Sequence, residues 1–373
     1  MKKIGLLGAT GSIGKQTLDI LKDEKDYGLD FFSVHQNIDS LDEIFHQTRA
    51  KFAVITHDEA FEKAKKTYDY KLYGKQDLKG LLEASEADIL LNAMVGTAGI
   101  ESTYTWLKEG RTLALANKES LVSAGHLMDE LLKNKGGVIH PVDSEHSAIW
   151  QSMQGQDKDA IRRLILTASG GAFRDLTREE IKVKKASEAL KHPNWSMGAK
   201  ITIDSATLIN KGLEVLEAKW LFNMDVKDID VHIHRESIIH SMVEYEDGAV
   251  MAQLGTPDMK LPILYALSYP KRLKTNWPKL NLLETGPLHF EEVDESRFSG
   301  IRLAKKAMEL GGNMPLVLNV YNELFVQAYL EDKIGFYDIT EGIEEQLEKT
   351  PVKEHPSIEE LLHEEEEIRR KGI

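Results

Sequence analysis

Lys3-Ile4-Gly5-Leu6-Leu7-Gly8-Ala9-Thr10-Gly11-Ser12-Ile13-Gly14-Lys15-Gln16-Thr17-Leu18-Asp19-Ile20-Leu21 decides the fold class. A short apolar run of strand character enters a turn with glycines at 8, 11 and 14, and apolar residues then recur at helical spacing. Strand, glycine turn and helix in that order open a doubly wound α/β sheet. In such a sheet the glycines let the backbone approach a pyrophosphate, and the helix amides face its charge. Gly8, Thr10, Gly11, Ser12, Ile13 and Gly14 are therefore candidate dinucleotide contacts. The spacing is GxxGxxG and not GxGxxG, so a plain strand-to-helix turn is the alternative.

Working outward, Phe31-Phe32-Ser33-Val34 reads as the second strand and ends at His35-Gln36-Asn37. An NAD site usually places an acid at this tip, whereas an NADP site avoids it and supplies donors. Gln36 and Asn37 therefore favour NADPH. Further short apolar runs at 52–55, 87–93 and 112–116 alternate with helical stretches, which predicts a Rossmann-like, doubly wound parallel sheet over residues 1–149. Ligands bind in the loops after strand ends. Two such loops carry candidates: Met94-Val95-Gly96-Thr97-Ala98-Gly99, and Asn117-Lys118-Glu119-Ser120. Lys118 opposes the dipole of the helix it opens, which suits a group kept for a ligand, although a solvated lysine reads the same way.

The next strand runs through Gly137-Val138-Ile139-His140 into Pro141-Val142-Asp143-Ser144-Glu145-His146. If the chain stays extended, Asp143 and Glu145 point to one side, and paired hard oxygen donors suit Mg²⁺ or Mn²⁺. The other reading is a helix start with an acidic first turn and Ser144 as cap.

Composition narrows the function classes. At 373 residues the chain exceeds one ordinary core, so two or three domains are expected. With 47 Lys+Arg against 61 Asp+Glu, a formal charge of -14 leaves no general attraction for nucleic acid or an anionic membrane. The absence of cysteine removes disulfides, thiolate metal sites and thiol nucleophiles. Glycines interrupt the apolar run after Met1-Lys2-Lys3, and no stretch has the length of a membrane span, so a cytoplasmic location is expected.

Residues 150–275 read as an α+β domain. Arg163 to Ala168 is a strand ending in Ser169-Gly170-Gly171, either a phosphate cradle or an ordinary turn. His192-Pro193-Asn194-Trp195-Ser196-Met197-Gly198 reads as a lid or a surface loop. A helix capped by Asp204 or Ser205 puts Ile209, Leu213, Leu216 and Trp220 on one face and Thr207, Asn210, Lys211 and Glu214 on the other. That second face is either a phosphate and metal site or a solvated polar face. His232 and His234 share a strand face, a spacing open to zinc but equally to structural histidines. Asp247-Gly248 marks a β-hairpin. A proline-rich linker over 276–298 leads to a C-terminal α-helical bundle over 299–373, with helices near 299–310, 315–332, 338–349 and 357–371. Asp338 with Glu341, and Ser357 with Glu360, read as capping boxes, and the acidic run at 363–367 reads as a solvated face.

Taken in order, the motifs at 8–14, 116–120, 141–146, 169–171, 192–198, 204–207 and 210–214 resemble the 1-deoxy-D-xylulose-5-phosphate reductoisomerase family over essentially the whole chain. The resemblance implies an NADPH- and divalent-metal-dependent homodimer of the non-mevalonate isoprenoid pathway that forms 2-C-methyl-D-erythritol 4-phosphate. It implies Asp143, Glu145 and Glu214 as metal ligands, and Lys118 and Ser144 on the substrate hydroxyls. Ser169, Ser205, Asn210 and Lys211 would hold the phosphate, and His192 and Trp195 the closing flap. Gln36, Asn37, Asn117, Glu119 and Gly198 join the glycine turn as expected cofactor contacts. Ala172 stands where the family often has Pro, and Arg235-Glu236 where it often has Pro-Gln.

Overall fold

The computed structural model describes residues 1–191 and 198–373. The chain forms two compact units: Met1–Ser120, His126–Ser147 and Asp258–Thr275 make the first, and Leu121–Gly125, Ala148–Pro257 and Asn276–Ile373 the second.

The first unit is built on seven strands: β1 (Lys2–Leu7), β2 (Tyr27–Val34), β3 (Phe52–Ile55), β4 (Leu72–Gly74), β5 (Ile89–Asn92), β6 (Thr112–Leu115) and β7 (Val138–Pro141). Their order is β4-β3-β2-β1-β5-β6-β7, and every pairing is parallel. Ile4, Leu6 and Leu7 of β1 and Ile89, Leu90 and Leu91 of β5 are fully buried. Burial on both sheet faces is why these segments read as continuous apolar runs without alternation. β1 lies between β2 and β5, so the winding direction reverses there and opens the crevice in which such sheets bind ligands. Strand β4 was not expected; its three residues are too few to show a period.

Helix Lys260–Ser268 also belongs to this unit, whereas its position in sequence placed it with the middle domain. Lys2 Nζ donates to Leu267 O at 2.9 Å, and His140 Nδ1 meets Ala266 O at 2.7 Å. Such a return contact has no local sequence signal.

The second unit holds β8 (Ile161–Ala168), β9 (Ile229–Ile233), β10 (Ile239–Tyr245) and β11 (Val250–Leu254) in the order β11-β10-β8-β9. β10 runs antiparallel to β8 and β11, and β8 pairs with β9 in parallel. The hairpin turns at Gly248, whose φ of +86° suits glycine, and Ala249 N donates to Asp247 Oδ1 at 2.9 Å.

Helices Gly300–Leu310, Met314–Leu330, Phe336–Lys349 and Ile358–Lys371 form the expected C-terminal set. They share one core with the second sheet's helices and are not a separate body. Gly212 lies so close to Gly300 and Ala304 that a Cβ there would sit 2.7 Å from atoms of each. The third helix is capped at Gly335, whose N–H donates to Asp338 at 2.7 Å, three residues earlier than the Asp338–Glu341 box expected. Ser357 and Glu360 do form a reciprocal box. The acidic run is not wholly solvated: Glu364 is buried and accepts from Asn313 Nδ2 at 2.7 Å. The linker carries a short helix, Leu282–Thr285, and Glu291 bridges to Ile233.

Candidate active site

In the first unit the glycine turn is a tight backbone cradle. Gly8 has φ +83°, and a Cβ on it would lie 2.5 Å from Ala93 O. A Cβ on Gly14 would lie 2.2 Å from Gly8 O, so the turn and helix Ser12–Asp23 close on each other only because both positions lack side chains. Gly11 is the helix N-cap, with no side-chain cap. Gly8 N donates to Ser33 Oγ at 3.0 Å and Ala9 N to Ser33 O at 2.9 Å, which ties the turn to the end of β2. Thr10 and Ile13 are half-buried and Ser12 is exposed on that turn, while Gln36 and Asn37 are exposed beyond the tip of β2. The residues fit a dinucleotide: a close-approach turn, a helix N-terminus and no carboxylate at the tip of β2.

Asn117 is buried after β6. Its Nδ2 is shared among Met94 O (2.9 Å), Gly96 O (2.7 Å) and Glu119 Oε2 (3.0 Å), and Ser120 Oγ donates to its Oδ1. Asn117 therefore braces the 94–99 loop, while Glu119 begins helix Glu119–Lys135. Lys118 is only 9% exposed, which excludes the solvated reading, and its Nζ lies 2.6 Å from Asp143 Oδ2. Asp143 directly precedes helix Ser144–Ser152, and Glu145 lies in its first turn. The extended-chain argument for these carboxylates is thus corrected: a helix start delivers them after β7, with Ser144 Oγ donating to Glu145 at 2.5 Å. Two carboxylates just past the buried end of β7, one held by a lysine and one by a hydroxyl, suit a divalent cation.

In the second unit the sequence expected one helix capped at Asp204 or Ser205. Two are present, Ala199–Ala206 and Ile209–Phe222, broken at Leu208 with φ +59°. Gly198 is the N-cap of the first. Ile209, Leu213 and Leu216 are buried as predicted, but so are Lys211 and Glu214, at 4% and 1% exposure. The polar face is therefore not solvated. Glu214 accepts from Asn210 Nδ2 and from Lys211 Nζ, each at 2.5 Å. Gly170 and Gly171 have φ of +85° and +72° and turn the end of β8 toward the first helix. A Cβ on Gly171 would lie 2.6 Å from Ser205 O. The Ser169 loop, Ser205, Asn210, Lys211 and Glu214 thus belong to one packed region of this unit. His192 and Trp195 lie outside the described residues.

Two features escaped the sequence reading. Asp204 is buried and held by Lys200 Nζ at 2.9 Å and Asn322 Nδ2 at 2.8 Å, so a residue 118 positions downstream fixes the helix that carries Ser205. The pairing of Lys118 with Asp143 likewise had no signal beyond the residue types. His234 is a structural histidine. His234 Nδ1 meets His289 O at 2.9 Å, its Nε2 accepts from Ile238 N and Ile239 N, and no metal-spaced cluster among the described residues includes His232 or His234. His240 is buried, and desolvation lowers its pKa to about 4.

Residues 4–125 match the family 1-deoxy-D-xylulose 5-phosphate reductoisomerase, and residues 139–222 and 254–371 match two C-terminal domains of that family. The chain is 48% identical over 375 residues to the 1-deoxy-D-xylulose 5-phosphate reductoisomerase of a Geobacillus species, covering 99% of this chain and 98% of that one. It is 47% identical to the Macrococcus caseolyticus protein of the same name, covering 97% and 96%. The Zymomonas mobilis reductoisomerase in complex with NADPH superposes with a TM-score of 0.92 at 38% identity, covering 99% and 97%. A reductoisomerase in complex with NADPH, fosmidomycin and magnesium gives 0.93 at 36% identity, covering 100% and 97%. The chain belongs to the 1-deoxy-D-xylulose 5-phosphate reductoisomerase family.

Proposed function

We infer that the protein is an NADPH- and divalent-metal-dependent oxidoreductase that rearranges and reduces 1-deoxy-D-xylulose 5-phosphate to 2-C-methyl-D-erythritol 4-phosphate in isoprenoid precursor synthesis. The observation that carries this reading is the buried charge on helix Ile209–Phe222: Lys211 and Glu214 are removed from water beside Asn210. Ionised groups are seldom buried without a task or a well-made pair. Lys211 and Glu214 make such a pair, and with Asn210 they bring together the ammonium, amide and carboxylate that a phosphate and a cation need.

In this reading Lys211, Asn210, Ser205 and Ser169 grip the substrate phosphate, Lys118 and Ser144 hold its hydroxyls, and Asp143, Glu145 and Glu214 are the metal ligands. A divalent ion there supplies Lewis acidity toward the substrate's keto and hydroxyl oxygens. Breaking the C3–C4 bond releases a phosphorylated two-carbon aldehyde, and the phosphate grip keeps that fragment oriented until it rejoins at C2. NADPH seated on the glycine turn, with Asn117 and Glu119 bracing the neighbouring loop and Gly198 as a further expected cofactor contact, would supply the hydride for the branched aldehyde. Lys118 and Lys211 are the ammonium groups placed to hold anionic oxygens through both steps.

The protein is further assigned as a cytoplasmic homodimer. Edge strand β11 exposes Val250 and Met251, and a second copy would cover such an edge. No helix among the described residues is long and apolar enough to cross a membrane.

The test is substrate-dependent oxidation of NADPH with Mg²⁺ or Mn²⁺, repeated after chelation and with Glu214→Gln. Metal-dependent turnover that collapses in the variant is expected. Metal-independent turnover, or a fully active variant, would refute the proposed ligand set.

A further inference from the structure

The tip of β2 has no arginine among residues 35–37, although NADP sites usually meet the 2′-phosphate there with a cation. The sheet supplies a cation from the end of β4 instead. β2, β3 and β4 run parallel, with Val34 opposite Ile55 and Ile55 opposite Gly74. One residue further on, His35, Thr56 and Lys75 therefore stand in a row along the ligand-binding edge. His35 Nδ1 and Thr56 Oγ1 are 2.9 Å apart, which fixes the imidazole, and the ring of His57 meets it edge-on at a centroid distance of 5.3 Å. His35 and Lys75 are exposed. Asp77, the acid nearest Lys75 in sequence, is turned to the backbone, accepting from Gly74 N at 2.9 Å.

We infer that His35, Thr56 and Lys75 form the subsite for the 2′-phosphate of NADPH and set its selection over NADH. The inference rests on the NADPH dependence proposed above and adds the residues that enforce it. Ser33 is bonded to both Gly8 and Ala9, so a dinucleotide on the glycine turn has its adenosine ribose at the end of β2. A phosphate there lies beside the row. Burial, and then the fields of His57 and Lys75, hold the His35 pKa below its ordinary value, so the charge in the row is that of Lys75. A lysine serves as a point charge and a hydroxyl as a directional donor, which together replace the arginine that most such sites use.

The test measures equilibrium dissociation constants of NADPH and NADH on the intact protein for wild type, Lys75→Ala, His35→Asn, the double variant and Lys75→Arg. Loss of a charge-assisted contact should weaken NADPH by about tenfold or more in the double variant. NADH should stay within about twofold, and Lys75→Arg should keep most of the preference. If wild type prefers NADPH and the variants leave that preference intact, or weaken both cofactors equally, the inference is overturned alone. If wild type shows no preference, the proposed cofactor falls with it.

Discussion

Replacing Gly171 by alanine isolates the geometry of the proposed phosphate grip. Its φ of +72° is left-handed, which costs an L-residue about 1–2 kcal/mol. The new Cβ also lies 2.6 Å from Ser205 O, 2.7 Å from Ala206 Cα and 3.0 Å from Ala206 N. Ordinary contact begins at 3.4 Å, so the Ser169–Gly171 loop and helix Ala199–Ala206 must part by 3.4 − 2.6 = 0.8 Å. These atoms are backbone and cannot swing aside as a side chain would. The displacement falls on the two segments that carry Ser169 and Ser205, and misplacement on the order of 1 Å can cost about a hundredfold in rate. Gly171→Ala should lower kcat/KM for the sugar phosphate by roughly ten- to a hundredfold, mainly through KM. The dissociation constant of NADPH should not change. Gly248→Ala is the control, because its φ is +86° but nothing lies within 4 Å of its Cβ. It should lose about 1 kcal/mol of stability without a change in KM. Steady-state kinetics with thermal unfolding of both variants decides the matter. A wild-type KM in Gly171→Ala, or the same KM change in Gly248→Ala, refutes the reasoning.

Three further outcomes follow from the packing. His240 stays neutral when folded, with a pKa of about 4 against an ordinary 6.5, so the unfolded chain binds the extra proton between these values. Its contribution is complete above about pH 6.5 and is lost as pH falls toward 4: about 3 kcal/mol in all, of which about 2 is gone by pH ~5. The unfolding midpoint of wild type should therefore drop more steeply over this range than that of His240→Gln, and parallel curves would exclude the effect. Gly212→Ala, which in an open helix gains about 1 kcal/mol, should instead cost on the order of 1–3 kcal/mol in denaturant melts. Its Cβ would press on Ala304 and Gly300 at 2.7 Å. Asn322→Leu removes a buried donor from Asp204 and should destabilise by about 1–3 kcal/mol while raising KM for the sugar phosphate. An unchanged KM would leave Asn322 a purely structural residue.

The chemistry-bearing residues of this protein were legible because each motif is local. Glycines at 8, 11 and 14 must precede a helix to make a close-approach turn, and Asn210, Lys211 and Glu214 share one side of a helix at any tertiary arrangement. The parallel sheet was legible for the same reason, through short apolar runs buried on both faces. Strand β4 was not, because three residues carry no period, and neither was the break at Leu208, where backbone geometry depends on what packs against it.

Sequence by itself determined the order of elements, the residue types offered to a phosphate, a cation and a dinucleotide, and through 48% identity over nearly the whole chain the family. Only the tertiary structure decided which charges are buried and what they meet. It put Lys118 on Asp143 and Asn322 on Asp204, buried the face that carries Lys211 and Glu214, and set His35, Thr56 and Lys75 side by side at three strand ends. Burial and pairing are properties of what surrounds a residue. Those surroundings come from chain segments tens to more than a hundred positions away, and a local pattern cannot encode them.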